Sequence, residues 1–187
     1  MKNTAHQNSI TGAAGEYLIL SNLLRLNLTA GKVPDNTKHL DIMCFNKNRT
    51  AASLIQVKTT MKKESKSNWM FHKKHETPIK NLFFCFVRMQ ADSSKNEIYV
   101  IDSETVAHVA KMSHQIFLKI PGLKGQKHND SDVRKLHRNH KSILGKLSLK
   151  EATAHLTKSE LEFLDKYSEG WLDQYRDAWY LLENYNI

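Results

Sequence analysis

Apolar residues recur at helical spacing near the start of this 187-residue chain, alternate as in β-strands through its middle, and return to helical spacing towards its end. The pattern predicts, in chain order, a helix over 11–28 capped by Ser9 or Thr11, strands over 40–46, 51–60, 81–90 and 97–102, and a helix over 103–117. Residues 121–132 have linker composition, a capping box at Thr157–Glu160 predicts another helix, and 172–185 predicts the last. The order is therefore α, β-hairpin, β, β, α and a helical tail.

The predicted strand over 51–60 carries an amide and an ammonium on one face. Alternation within SLIQVKTT (53–60) places Gln56 and Lys58 together, with Ile55 and Val57 on the opposite face. Solvation of an exposed face is one explanation of this pair, and a functional site is the other.

The predicted hairpin brings a carboxylate to the same face. If its turn is symmetric and paired residue numbers sum to 99, Asp41 lies opposite Lys58 and diagonal to Gln56, with paired Cβ atoms roughly 5 Å apart. Any odd sum close to this value keeps the three side chains on one face. The pattern therefore predicts a cluster on two neighbouring strands.

A second carboxylate, Glu16, falls on the apolar face of the first predicted helix. A carboxylate that faces a core is costly unless a cation or a metal meets it. The alternative is a glutamate placed near a helix start because the helix dipole favours it there. If the helix covers the hairpin, Glu16 reaches the cluster.

These four residues are suited to phosphodiester hydrolysis. A carboxylate, a backbone carbonyl and a further oxygen from Gln56 or Glu16 suit a hard cation such as Mg²⁺, which keeps several of its waters. Such a cation neutralises phosphate charge and lowers the pKa of a bound water. Lys58 would then orient that water or stabilise the charge that develops on the phosphorus centre.

Charge points to the same class of substrate. The chain has 28 Lys and Arg against 19 Asp and Glu, a net charge of +9, and the excess is clustered in 58–75 and 119–150. Basic clusters of this kind attract phosphate backbones, although a solvated face is the alternative. We expect nucleic acid to be bound through the following residues: Lys62, Lys63, Lys73, Lys74, Lys124, Lys127, Arg134, Lys135, Arg138 and Lys141.

Several other classes are disfavoured. No apolar run approaches the roughly 18 residues that a membrane span needs, and the amino terminus lacks the apolar stretch of a signal peptide, so we expect a cytoplasmic protein. Cys44 and Cys85 lie in apolar runs and are interpreted as buried thiols. His137 and His140 have metal-like spacing but no accompanying cysteines, and they are interpreted as surface histidines.

The residues of the cluster resemble those of the PD-(D/E)XK nuclease superfamily. Glu16 in GAAGEYLILSNLL, Asp41 at a strand start and Gln56-Val57-Lys58 in IQVKTT look like the branch with Q-x-K, which includes Mrr-like restriction enzymes and relatives of Holliday-junction resolvases. The resemblance covers roughly residues 10–102. Leu40 stands where the family name has proline. Gln56 is neutral, so the metal site has one negative charge fewer unless Glu16 supplies it.

The resemblance implies an α/β fold with a restriction-endonuclease-like mixed central sheet flanked by helices and a C-terminal helical extension. The nuclease core would span 1–120, and a basic linker and helical extension packed on it would span 121–187. Asp41, Gln56, the Val57 carbonyl and Glu16 would surround Mg²⁺, which Mn²⁺ could replace, and Lys58 would be catalytic with Glu16 assisting.

The function expected is that of a metal-dependent endonuclease. Its substrate is expected to be nucleic acid, DNA rather than RNA, and no membrane is expected as a partner. Two alternatives stay open: a member of the same fold that binds nucleic acid without cutting it, and an interaction subunit of a defence or repair system. A homodimer is the oligomer considered for it, although the sequence does not determine the oligomeric state.

Overall fold

The computed structural model describes residues 4–34, 37, 40–61, 68–122 and 124–186. The chain forms two compact units. Unit 1 takes the described residues of 1–67, 78–103 and 175–187, and unit 2 takes those of 68–77 and 104–174. This division differs from the predicted boundary at residue 120, because the chain enters unit 2 twice and returns to unit 1 at its end.

Unit 1 is built on a five-stranded mixed sheet. Its strands, in spatial order, are β1 (Ala30–Lys32), β2 (Ile42–Phe45), β3 (Ala52–Thr60), β5 (Leu82–Arg88) and β6 (Glu97–Asp102). β3 and β5 are parallel, and every other neighbouring pair is antiparallel. All seven residues of β5 are buried, as expected for a strand with neighbours on both sides.

Helix α1 (Thr4–Arg25) covers one face of this sheet. Its buried Ile19 and Leu23 belong to a core that includes Ile55 and Val57 of β3. The helix ends three residues before the predicted limit, because Asn27 adopts φ +59° and two backbone hydrogen bonds, from Asn27 to Leu24 and from Leu28 to Leu23, close a Schellman motif.

Unit 2 contains most of helix α2 (Ser103–Lys119) and a two-stranded ribbon of β4 (Asn68–His72) and β7 (Val133–His137). Helices α3 (Leu149–Ala152) and α4 (Lys158–Lys166) follow. The predicted capping box is confirmed, since the Thr157 side chain accepts from the Glu160 backbone and the Glu160 carboxylate accepts from the Thr157 backbone. Strand β7 lies in a segment that we expected to be linker and helix.

The helix predicted over 172–185 is wrong as a continuous element. Asp173–Tyr175 form a 3-10 turn, and only Tyr180–Glu183 (α5) is α-helical. Between them Asp177 has φ +47°, and its N–H donates to the Ile98 carbonyl on the edge strand β6 at 3.0 Å. Pairing with this edge takes a backbone group that a continuous helix would use internally.

The predicted fold class is confirmed, with a mixed sheet in unit 1 that α1 and α5 cover. The C-terminal part of the chain is less helical than predicted, because it contributes β7 and several 3-10 turns. Cys44 and Cys85 are buried free thiols, and burial raises the pKa of both, to about 11 for Cys44. No helix in the described ranges is long and apolar enough to cross a membrane.

Candidate active site

Asp41 lies one residue before β2, at the point where the strand meets β3. Its backbone N–H donates to the Ile55 carbonyl at 2.9 Å. Its carboxylate reaches the backbone of β3 as well, where Oδ2 accepts from the Val57 N–H at 2.7 Å. The carboxylate is therefore held at the residue between Gln56 and Lys58.

The register of the hairpin differs from the predicted one by two residues. Met43 pairs with Leu54, so paired numbers sum to 97, and the same pattern places Asp41 opposite Gln56 rather than Lys58. The turn decides this, because the Asn46 N–H donates to the Ala51 carbonyl and the Asn46 side chain accepts from the Ala51 N–H. The sum remains odd, so the alternation of side chains still assigns Asp41 to the same face as Gln56 and Lys58.

Gln56 is a buried amide with an unused acceptor. The residue is 8% exposed, and its Oε1 atom has no hydrogen-bond partner within the described part of the chain. A buried carbonyl oxygen without a donor costs about 1–3 kcal/mol, so most such atoms are paired. A cation bound at Oε1 would remove this cost.

Gly15 allows α1 to approach β3 closely. A Cβ atom at position 15 would lie 1.8 Å from Thr59 Oγ1, so only glycine fits there. The next residue of the helix, Glu16, is therefore carried close to the sheet on the side that α1 covers. Glu16 is half-buried, and its Oε2 atom forms an ion pair with Lys32 Nζ at 2.8 Å.

Four charges act on one another in this cluster. Burial raises the pKa of Asp41, while the Val57 N–H and the Lys58 ammonium oppose that rise. The Glu16 carboxylate raises the Asp41 pKa further, and Lys32 lowers it. Glu16 and Lys58 therefore both act on Asp41. They do so from different sides, because α1 packs on the Ile55 and Val57 face of β3, whereas alternation directs Gln56 and Lys58 to the other face.

The sequence analysis missed the fifth member, Lys32. It is the last residue of β1, which has only three residues and is too short for alternation to be recognised. Its place in the cluster follows from the pairing of β1 with β2, where Lys32 is opposite Ile42, the residue after Asp41.

The residues present fit a hard cation held by oxygen atoms. No three His, Cys, Asp or Glu side chains are grouped for metal binding among the residues that the structure describes, so amide and backbone oxygens would have to complete a site. Gln56 Oε1 is such an oxygen. The Val57 carbonyl is another, because its N–H points to Asp41 and both backbone groups of a paired strand residue point to the same side.

The described residues among those predicted to bind nucleic acid lie in unit 2 and have different environments. Lys74, Lys124, Lys127 and Lys135 are exposed. Lys73 is exposed and forms an ion pair with Asp130, Lys141 forms one with Asp165, and Arg138 is half-buried. Lys62 and Lys63 lie outside the described residues.

The prediction that Arg134 binds nucleic acid is wrong. Its side chain is 2% exposed, and Nε donates to Glu76 while Nη1 donates to the Ser131 carbonyl. The guanidinium is therefore used inside unit 2 and is not placed to contact phosphate. Alternation along β7 explains the difference, because Lys135 is exposed on the opposite face of the ribbon.

The interpretation of His137 and His140 as surface residues is wrong for His140, while His137 is half-buried. His140 is fully buried among the rings of Phe163, Tyr167 and Trp171, and neither of its ring nitrogens has a partner among the described residues. Burial lowers the pKa of His137 to about 4 and that of His140 well below its usual value. His137 also lines a cavity of about 410 Å³ in unit 2, which no residue of the Asp41 cluster lines.

Comparison with known proteins adds little to this geometry. No family model and no curated protein matches the chain. The chain is similar to the structure of a bacterial homing endonuclease, I-Ssp6803I, with a TM-score of 0.46 and 12% identity over 94% of this chain and 92% of that one. A TM-score of this size does not establish a common fold, so function is inferred from the cluster alone.

Proposed function

We propose that this protein is a Mg²⁺-dependent endonuclease that hydrolyses phosphodiester bonds in DNA, with Mn²⁺ able to replace Mg²⁺. The observation that carries the proposal is the hydrogen bond from the Val57 N–H to Asp41, which holds a carboxylate between Gln56 and Lys58. The unpartnered Gln56 Oε1 atom supports it, because a metal would satisfy a buried acceptor.

Each residue of the cluster has a role in this proposal. Asp41, Gln56, the Val57 carbonyl and Glu16 would hold the cation, which neutralises phosphate charge and lowers the pKa of a bound water. The Lys58 ammonium would stabilise the negative charge that develops on the phosphate oxygens during attack by water. Gly15 acts through Glu16, since it sets the distance between α1 and β3.

Nucleic acid would be bound through basic residues of unit 2. Among the described residues, the members retained from the predicted set are Lys73, Lys74, Lys124, Lys127, Lys135, Arg138 and Lys141. Contacts between lysine and phosphate carry little sequence information, so this surface would bind DNA without reading bases. A cytoplasmic location and a homodimer remain predictions of the sequence.

Cleavage of supercoiled plasmid tests the proposal. The wild type should convert supercoiled DNA to open-circular or linear forms with Mg²⁺ or Mn²⁺ and not with EDTA. Lys58→Ala and Asp41→Ala should abolish cleavage and leave the far-UV circular dichroism spectrum unchanged. Lys47→Ala is the matched control, because Lys47 pairs with Glu183 in the same unit and belongs to no part of the cluster.

One observation favours a second function, that of a DNA-binding protein of this type without nuclease activity. Gln56 is neutral, and it leaves the proposed cation with fewer charged ligands than a carboxylate at this position would provide. DNA binding in a gel-shift assay, with no cleavage of single-stranded, duplex or branched DNA under either metal, would favour this function over the first.

A further inference from the structure

The Lys32 ammonium interacts with both carboxylates of the cluster, those of Glu16 and Asp41. Its Nζ atom lies 2.8 Å from Glu16 Oε2 and 4.8 Å from the centre of the Tyr17 ring. The side chains of Lys32 and Glu16 are only 25% and 23% exposed, so water screens the pair less than it would at an open surface. The ammonium is thus held against two consecutive residues of α1.

The same ammonium acts on Asp41. Glu16 raises the Asp41 pKa because the two carboxylates repel each other, and Lys32 lowers it because it attracts both. Together with Lys58, the cluster contains two carboxylates and two ammonium groups, so its formal charge is zero. A divalent cation bound to the Glu16 carboxylate would lie beside the Lys32 ammonium that already pairs with it.

We propose that Lys32 is a positioning residue that takes the place of the divalent cation in the metal-free protein and leaves Glu16 when the cation binds. This inference rests on the proposed function. Mg²⁺ binds oxygen at about 2.0–2.1 Å, so a cation held by the Glu16 carboxylate would lie close to the Lys32 ammonium on the same group, and the two positive charges would repel each other. Lys32 therefore weakens cation binding, and it keeps Glu16 and Asp41 close together until the cation arrives.

Calorimetric titration of Mn²⁺ into the wild type and Lys32→Met measures this competition. Methionine keeps an unbranched chain of similar length but has no charge, so Mn²⁺ should bind roughly two- to fivefold more tightly to the variant, as expected for the loss of a competing ion pair. The titration is done at one pH for the wild type and every variant. Lys47→Met is the matched control, because its ammonium pairs with Glu183 at 3.0 Å in the same unit, and its isotherm should equal that of the wild type.

A second measurement uses only the wild-type protein. Acetylation of lysines followed by mass spectrometry should show that Lys32 becomes more reactive when Mn²⁺ is added, because its ammonium is released from Glu16. The reactivity of Lys47 in the same sample should not change. This readout does not depend on whether Lys32→Met folds.

The outcomes separate the two proposals. If the wild type binds Mn²⁺ and Lys32→Met binds it equally or more weakly, or if Mn²⁺ does not raise the reactivity of Lys32, the competition is refuted while the metal site stands. If the wild type binds no Mn²⁺ at all, the proposed metal site fails and the role of Lys32 fails with it.

Discussion

The carboxylate of Asp41 accepts a hydrogen bond of 2.7 Å from the backbone N–H of Val57, across the junction of β2 and β3. A backbone donor in a paired strand has little freedom to move, so the carboxylate is oriented without the help of another side chain. Hydrogen bonds to an ionised carboxylate are among the stronger ones in proteins, yet burial still raises the Asp41 pKa. The fold thus keeps a carboxylate where it is costly, as expected of a functional group.

Asp41→Asn should stabilise the folded protein at neutral pH. Because the pKa of Asp41 is raised in the folded state, folded molecules bind more protons than unfolded ones between the ordinary and the raised value, and stability falls as pH rises through this window. The variant should therefore have a higher free energy of unfolding than the wild type at pH 7, and the difference should shrink as pH falls through the raised pKa.

Urea unfolding at pH 7 and pH 4 measures that difference. Asp177→Asn is the control, because Asp177 is exposed with φ +47°, a conformation that asparagine also adopts. A lower stability of Asp41→Asn at both pH values would mean that the ionised carboxylate stabilises the fold.

Gln56→Glu should strengthen the binding of Mg²⁺ or Mn²⁺ by roughly tenfold, because affinity at oxygen sites follows the charge of the ligands. Oε1 of Gln56 is buried without a partner, so a carboxylate oxygen can take the same position. Calorimetric titration against the wild type measures the change, with the exposed Gln7→Glu as a control that adds equal charge to α1. Identical isotherms for Gln56→Glu and wild type would make Gln56 an ordinary strand residue.

Gly15→Ala should lower the free energy of unfolding by about 1–3 kcal/mol, the usual cost of overpacking. The new Cβ atom would meet Thr59 Oγ1 at 1.8 Å and Thr59 Cβ at 2.9 Å, so α1 must move away from β3. Removing the hydroxyl in Gly15→Ala/Thr59→Ala should restore stability only in part, because the second contact remains.

Gly12→Ala is the matched control for this helix. Nothing lies within 4 Å of a Cβ atom at Gly12, so alanine should stabilise the protein by about 0.4–1 kcal/mol through its higher helix propensity. Equal effects of the two substitutions in urea unfolding would show that the approach of α1 to β3 is not limited by Gly15.

Arg134→Ala should lower stability, whereas Lys135→Ala should weaken DNA binding, although the two residues are neighbours in the chain. Arg134 is buried with Glu76, and removing one partner of a buried pair costs about 3 kcal/mol or more. Lys135 is exposed, so its loss should change stability by less than about 0.5 kcal/mol. If Lys135 contacts phosphate, its loss should also flatten the slope of log K against log salt by about 0.9.

Urea unfolding and DNA-binding anisotropy at several salt concentrations measure the two effects. Lys124→Ala and Lys127→Ala should resemble Lys135→Ala and weaken binding to all sequences alike. An unchanged salt slope together with altered sequence preference would refute the assignment of these lysines to phosphate.

Local patterns in the sequence were sufficient to predict most elements of unit 1 and every member of the cluster except Lys32. Alternation in 51–60 identifies β3 and the shared face of Gln56 and Lys58, because strand geometry directs every second side chain to the same side. The capping box at Thr157 and Glu160 identifies the start of α4, because both hydrogen bonds form within four residues. Such features depend on neighbours in the chain and need no knowledge of the fold.

The features decided by tertiary structure depend on partners far away in the sequence. The bend at Asp177 follows from a hydrogen bond to Ile98, and the burial of Arg134 follows from Glu76. Lys32 enters the cluster only because β1 pairs with β2 beside Asp41. The sequence by itself determined which residues could form a site, because local geometry sets the face on which each side chain lies. The pairing of distant segments decided which charges meet there, because contact energies between those segments outweigh local preference.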